Sequence, residues 1–451
     1  MRGGQSGANP LEGRTSALAL LQFSLPSIVS MLFMGLYTTA DTALVSRMAG
    51  TLALSALNIV CPAVNLLVGL GTMMAAGGSA VIARKMGEGR EDEARQDFQA
   101  LLLLAAGLGT GAALGGRFFL EELVTALGAS PALAGYCMDY LGMLLVFAPA
   151  CLLQVMFQNL IVTAGRPGLG MALAVGAGAI NVVLDVLFMG PLGMGVSGAA
   201  LGTGLGYMGP VVLGLLFFGK SRGPLRFGGR QAFHLRALAY SFLNGSSELV
   251  SQLSAAVTTF LFNRAMMRLL GEDGVAAVTI MIYTQFLLTT ACIGFSMGVA
   301  PVLSYQMGKG DFKELGRAFR ICLAVTAAAG LGAAAGAMIF SGPLVGVFAG
   351  EGSRVYEIAR EGFRVFPVCF LFSGVNIFVT AAFTALSEGA VSAALAFLRT
   401  FGLIGLGLLI LPGLLGTAGV WVTLPLAEAG AFLAAVFTVR RYGRRRGLKL
   451  L

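Results

Sequence analysis

Apolar residues run along the chain in long blocks, and nearly all charged residues are gathered in the short stretches between them. Twelve blocks reach about 20 residues or more, enough to cross a hydrocarbon layer of roughly 30 Å at 1.5 Å per residue. They cover residues 17–46, 52–83, 96–118, 132–163, 168–190, 195–219, 237–263, 275–305, 317–340, 357–386, 390–412 and 416–439. This pattern predicts an all-α integral membrane protein with twelve transmembrane helices. The blocks also repeat. MGEG at Met86 returns as MGKG at Met307, an offset of 221, and the same offset carries Pro191 to Pro412, Gly195 to Gly416 and Gly198 to Gly419. One offset linking both ends of a half predicts two six-helix bundles related as parallel repeats about an axis normal to the membrane, an arrangement found in secondary transporters. The expected division is a lobe over 1–219, a cytoplasmic linker over 220–236 and a second lobe over 237–451 with a basic tail.

Composition agrees with the pattern: 57% of the 451 residues are hydrophobic and 11% charged, against about 25% charged in soluble chains. The 65 glycines suit helices that approach closely in a bilayer. Charge sets the orientation. Twenty-two of the 30 Lys and Arg lie in the termini and even-numbered loops, while only Arg47, Arg117, Arg264, Arg268, Arg354, Arg360 and Arg364 lie in the odd-numbered ones. Positive loops stay in the cytoplasm, so both termini are expected there. The net charge of +9 then has a topological cause and calls for no nucleic-acid partner. The tail RRYGRRRGLK is read as a solvated stop signal, with contact to anionic lipid as the alternative. Six cysteines (Cys61, Cys137, Cys151, Cys292, Cys322, Cys369) show no CxxC pairing and read as core residues. The opening stretch MRGGQSGANPLEGR lacks the features of a signal peptide, so the first span is expected to direct its own insertion.

The chemistry lies in acids within apolar blocks. INVVLDVLFMG, Ile180 to Gly190, holds Asp185 with no Lys or Arg nearby. Asn181 stands four residues earlier and leaves the same helical face. Asp41 of the first span, Asp185 of the fifth and Thr203 of the sixth lie about five, five and eight residues from the outer ends of their spans, a common level in the outer half. Two carboxylates, an amide oxygen and a hydroxyl suit a hard cation such as sodium, or hold a shared proton. The offset of 221 carries Asp41 to Phe262, Asn181 to Gly402 and Asp185 to Leu406, so the second half has lost the acids. This asymmetry favours function over a structural polar cluster, and intramembrane acids are functional by default.

LPSIVSMLFMGLYTTADTALVSRMAG, the MGEG loop, GRPG after the fourth span and NVVLDVLF together resemble the multidrug and toxic compound extrusion (MATE) family, over about Thr15 to Tyr442. The resemblance implies paired bundles that alternate between outward-open and inward-open states. It implies a monomer in the bacterial cytoplasmic membrane that exports small organic, often cationic, amphiphiles against protons or sodium, with no cofactor beyond the coupling ion. In the family's DinF-like branch the first-lobe cation site falls on Asp41, Asn181, Asp185 and Thr203. The NorM-like branch has an acid on the tenth span, absent from LFSGVNIFVTAAFTA here.

Glu248, placed near the middle of the seventh span, is a candidate for substrate or ion binding, with a polar contact between lobes as the alternative. Tyr37, Gln154 and Gln158 are candidates to line the first-lobe cavity, or else pack. Pro26 removes a hydrogen bond inside the first span and predicts a kink or hinge. Arg399 and Glu428 are read as structural, either paired or separately satisfied. An enzyme is not expected. The only histidine, His234, lies in the linker, no P-loop is present, and the GxGxxG at Gly204, Gly206 and Gly209 has no preceding strand, so helix packing explains it. The rival function is a flippase for lipid-linked sugars, which calls for a more basic central cavity. A membrane enzyme of lipid metabolism is a distant third, lacking a clear acid or histidine cluster at a membrane face.

Overall fold

The computed structural model describes residue 11 and residues 16–228, 235–448 and 450. Arg2, Arg14, Arg230, His234, Lys449 and the middle of the expected linker lie outside the described residues. The first half folds into α1 (Ala17–Met48), α2 (Thr51–Gly87), α3 (Glu91–Phe118), α4 (Leu120–Ala126), α5 (Pro131–Val146), α6 (Ala148–Thr163), α7 (Pro167–Met189) and α8 (Gly195–Lys220). The second half comprises α9 (Leu235–Asn244), α10 (Ser246–Leu270), α11 (Glu272–Lys309), α12 (Phe312–Ile339), α13 (Ser341–Gly346), α14 (Arg354–Gly362), α15 (Phe370–Ala385), α16 (Gly389–Phe397), α17 (Leu406–Leu415) and α18 (Thr417–Arg446). A 3-10 turn, Phe366–Cys369, precedes α15, and a π-helical segment, Leu398–Gly405, joins α16 to α17.

Local chemistry sets the helix ends. The Ser16 hydroxyl accepts from Ala19 N at 3.2 Å to cap α1, and Asp311 accepts from Glu314 N at 3.1 Å to cap α12. Glu91, Asp92 and Glu93 fill the first turn of α3, where the helix dipole favours negative charge. The α2–α3 turn is pinned by Lys85, whose Nζ lies 2.6 Å from the buried Asp97 carboxylate. Hydrogen bonds from Arg90 hold the Glu93 carboxyl below its ordinary range.

Among the described residues, ten helical stretches are long and apolar enough to cross a membrane, and an eleventh is the pair α5 and α6, bent by 54°. The elbow sits at Phe147, with Pro149 just inside α6. Length and composition alone thus account for ten, or with the bent pair eleven, of the expected twelve. The seventh expected span, 237–263, is broken at Gly245 into α9 and α10. α10 has 25 residues but carries Ser, Gln, Thr, Asn and Arg along its length, which keeps it out of the apolar set. α1, by contrast, runs unbroken through Pro26.

Helices of the two halves meet at one end of the molecule and part at the other. Pro301–Met307 of α11 and Ser79–Ala83 of α2 are buried at every position. Gly87 and Gly308 are the reason these helices cross so closely. A Cβ at Gly87 would overlap the Tyr305 carbonyl oxygen, and one at Gly308 would overlap that of Arg84. Both contacts map onto each other under the offset of 221, so they form a symmetric crossing. One layer further from the basic loops, a Cβ at Gly77 would lie 2.5 Å from Gly245 N, and one at Gly245 would lie 2.8 Å from Gly77 N. Near the other end, Thr38, Thr39 and Ala40 of α1 are all exposed. Successive helical residues point about 100° apart, so three in a row leave most of that turn uncovered. Ser55, Asn58 and Cys61 form an exposed polar stripe on the same half of α2. The molecule is sealed where the basic loops lie, and opposite them these turns of α1 and α2 are uncovered.

Candidate cation site

α7 presents Asn181 and Asp185 on one face, and both side chains are buried, Asp185 completely. α8 supplies the facing wall. Its Gly202 and Gly206 repeat at the same four-residue spacing, so α8 meets α7 through bare backbone. A Cβ at Gly202 would overlap Asp185 Oδ1, and one at Gly206 would lie 3.2 Å from Asn181 Cβ. Asp41 reaches in from α1, and its carboxyl faces that of Asp185 within hydrogen-bonding reach. Two ionised carboxylates have no proton to share, so the approach is repulsive unless a proton or another cation joins them. Asn181 Nδ2 donates to Thr203 Oγ1 at 3.2 Å, which turns the amide oxygen away from that bond. Asn181 Oδ1, both oxygens of Asp185 and Oδ1 of Asp41 are buried without a hydrogen-bond partner. Buried polar atoms are satisfied almost everywhere in proteins. Four unsatisfied oxygens on neighbouring residues are hard donors of the kind a small cation calls for.

The sequence candidates Asp41, Asn181, Asp185 and Thr203 thus come together. Tyr37 joins them, electrostatically adjacent to both acids and packed where a Cβ at Gly178 would lie 3.0 Å from its ring. Gln158 instead lines a cavity among α1, α6, α7 and α11, with Ser27, Ser30, Met34, Asn159 and Met297. Gln154 is buried one turn away and is not part of that lining. Glu248 stands apart. It lies in the first turn of α10 rather than mid-helix, because the chain breaks at Gly245. It is half-buried, and its side chain makes no hydrogen bond or ion pair among the described residues, whereas neighbouring Asn244 donates to Thr384 O at 2.9 Å.

The second half has a polar centre of its own. Glu428 is fully buried; its Oε1 accepts from Arg399 Nε at 2.9 Å and Nη2 at 2.5 Å, and its Oε2 accepts from Asn376 Nδ2 at 2.7 Å. Arg399 and Glu428 are therefore an ion pair, one of the two alternatives the sequence left open.

A profile of the MatE family matches the chain twice, over residues 26–187 and 249–409. The chain belongs to the MatE family. Multidrug export protein MepA of Staphylococcus aureus is 22% identical over 426 residues, 93% of each protein. MepA of Staphylococcus saprophyticus is 21% identical over 447 residues, covering 93% of this chain and 92% of that one. The fold is similar to that of a multidrug resistance MATE family transporter of the MOP superfamily in an outward-facing conformation, with a TM-score of 0.89 and 23% identity over 98% of each chain. The double match gives the MATE repeat seen as a single offset in the sequence, and the MATE chain is a multi-pass membrane protein. Its GxGxxG is packing: Gly204 lies against the Phe147 ring, and Gly206 against Asn181. Sequence reasoning missed Gly202 and the hydroxyl of Tyr140, which reaches Thr203. A glycine four residues from another on α8, facing an Asn and Asp of equal spacing on α7, was the available signal for Gly202. Tyr140 gave none.

Proposed function

We propose that this MATE protein exports organic, often cationic, amphiphiles by antiport against protons or sodium, with the coupling ion held among Asp41, Asn181, Asp185 and Thr203. One observation carries this: two carboxylates face each other in the apolar interior, and among the described residues no Lys or Arg neutralises them. A site that is unfavourable empty and ionised must take up a cation, and a cation that must bind can be made to drive transport. Tyr37 and Gln158 line the first-lobe path of the substrate, with Gln154 buried one turn behind Gln158, and Glu248, whose side chain is unpaired among the described residues beside the Gly77–Gly245 crossing, meets its positive charge. Residues 1–219 and 237–451 act as two lobes rocking about the sealed crossing, with 220–236 as the linker. Both termini are cytoplasmic, so the basic-loop end is the inner end and the structure is outward-facing. The protein works as a monomer in the bacterial cytoplasmic membrane, with lipid around its apolar faces, and uses no cofactor or enzymatic step. A lipid-linked sugar flippase is less well supported, because Arg399, the charge a phosphate calls for, is already held by Glu428.

Proteoliposomes with proton and sodium gradients imposed separately test the function. At least one gradient is expected to drive transport of an organic cation, and transport indifferent to both overturns the antiport reading. Orientation is tested with a protease-cleavable tag after Leu451 in intact cells. The tag is expected to resist external protease, and cleavage from outside reverses the topology.

A further inference from the structure

We propose that Arg399 is a tethered cation that permanently fills a second cation site, made by Glu428 and Asn376, and so leaves the second lobe with no exchangeable ion. The proposal rests on the reading of the first-lobe acids as the ion site. Under the offset of 221, Glu428 corresponds to Tyr207 of α8, Arg399 to Gly178 of α7 and Asn376 to Val155 of α6. The second centre is therefore built on the repeat equivalents of α6, α7 and α8. Its level differs: Leu406, the counterpart of Asp185, is 56% exposed, so that position faces away from the packed interior. Arg399 lies seven residues before it, about 10 Å along the helix.

Three features separate this centre from an ordinary ion pair. First, it stands on the repeat equivalents of α7 and α8, the helices that carry three of the four residues of the open site, and here one carboxylate meets one guanidinium, so the sum is neutral. Second, Asn376 Oδ1 is buried without a partner. The Asn376 Nδ2 points at Glu428, so with the guanidinium gone the amide has to turn over for that oxygen to join the two Glu428 oxygens, and the three then make a hard donor set that suits sodium or a proton. Third, Arg399 sits in the π-helical segment Leu398–Gly405, while its counterpart helix α7 is α-helical throughout. A π turn is rare and recurs at functional sites. Removing the guanidinium would leave a fully buried carboxylate without its counter-ion, which such an interior does not tolerate. A free cation is then the nearest replacement.

Sodium binding to the full chain, measured by titration calorimetry at alkaline pH where protons compete least, tests this. Asp185→Asn alone reads the first-lobe site and is expected to bind no sodium. Adding Arg399→Gln is expected to restore one bound sodium per chain, and adding Glu428→Gln as well is expected to remove it. If Asp185→Asn still binds sodium, the first-lobe reading fails, and the increment caused by Arg399→Gln still judges the tethered cation. No increment in a folded Arg399→Gln protein overturns the proposal, as does an increment that survives Glu428→Gln. Should Arg399→Gln fail to fold, the neutral double variant Arg399→Gln/Glu428→Gln decides. It is expected to export with the wild-type ratio of ions to substrate, and loss of export or a changed ratio in that folded protein overturns the proposal.

Discussion

Asp185→Asn is expected to abolish ion-driven export while the protein still inserts and folds, and Asp41→Asn to do the same. Asparagine keeps the size of the side chain, so the tight contact with Gly202 survives and only the charge is lost. On the proposed coupling, a proton shared by the two carboxylates lowers their charge from −2 to −1, whereas a cationic substrate in the neighbouring cavity favours the fully ionised pair. Proton and substrate therefore oppose each other. A coupling of about 1–3 kcal/mol changes affinity roughly 5- to 150-fold. Substrate affinity should fall on acidification in the wild type and become independent of pH in Asp185→Asn. A pH dependence that survives the substitution would make Asp185 a structural acid.

The second large effect is expected at the inner seal. Gly308→Ala places a methyl group on the Arg84 carbonyl oxygen, and backbone, unlike a side-chain tip, cannot swing aside. Overpacking of this kind costs about 1–3 kcal/mol, and only the conformation in which α2 and α11 cross bears that cost. Gly308→Ala should then move the balance away from the outward-facing state by roughly 5- to 150-fold. Cys61 reports it directly, since it is exposed on the open half of α2 while the other five cysteines are buried. Its labelling by a membrane-impermeant maleimide from outside is expected to drop several-fold in the variant. Unchanged labelling would mean that the glycine crossing does not set the conformation.

Most of the architecture was legible because lipid permits so little else: backbone groups must be satisfied within each span, and apolar length marks the span. The residues of the candidate site were legible for a related reason, since Asp41 and Asp185 stand out where charge is costly. Long-range packing was less visible. The elbow at Phe147 left an unbroken apolar run from 132 to 163, and only Pro149 hinted at a new helix start. The break at Gly245 hid among many glycines, which moved Glu248 from a mid-helix position to a first turn. Arg399 and Glu428 are 29 residues apart, on adjacent spans whose relative rotation depends on the intervening π turn. Hydropathy carries no information on that rotation, so their pairing stayed one option among several.

The unequal charge of the two halves also bears on the driving force. With Arg399 locked onto Glu428, the proposed coupling leaves the open pair Asp41 and Asp185 as the place where charge is exchanged. If one singly charged substrate leaves for each monovalent cation that enters there, a full cycle moves no net charge across the membrane. The membrane voltage then does no work on export, and the steepest substrate gradient the protein can sustain equals the chemical gradient of its ion.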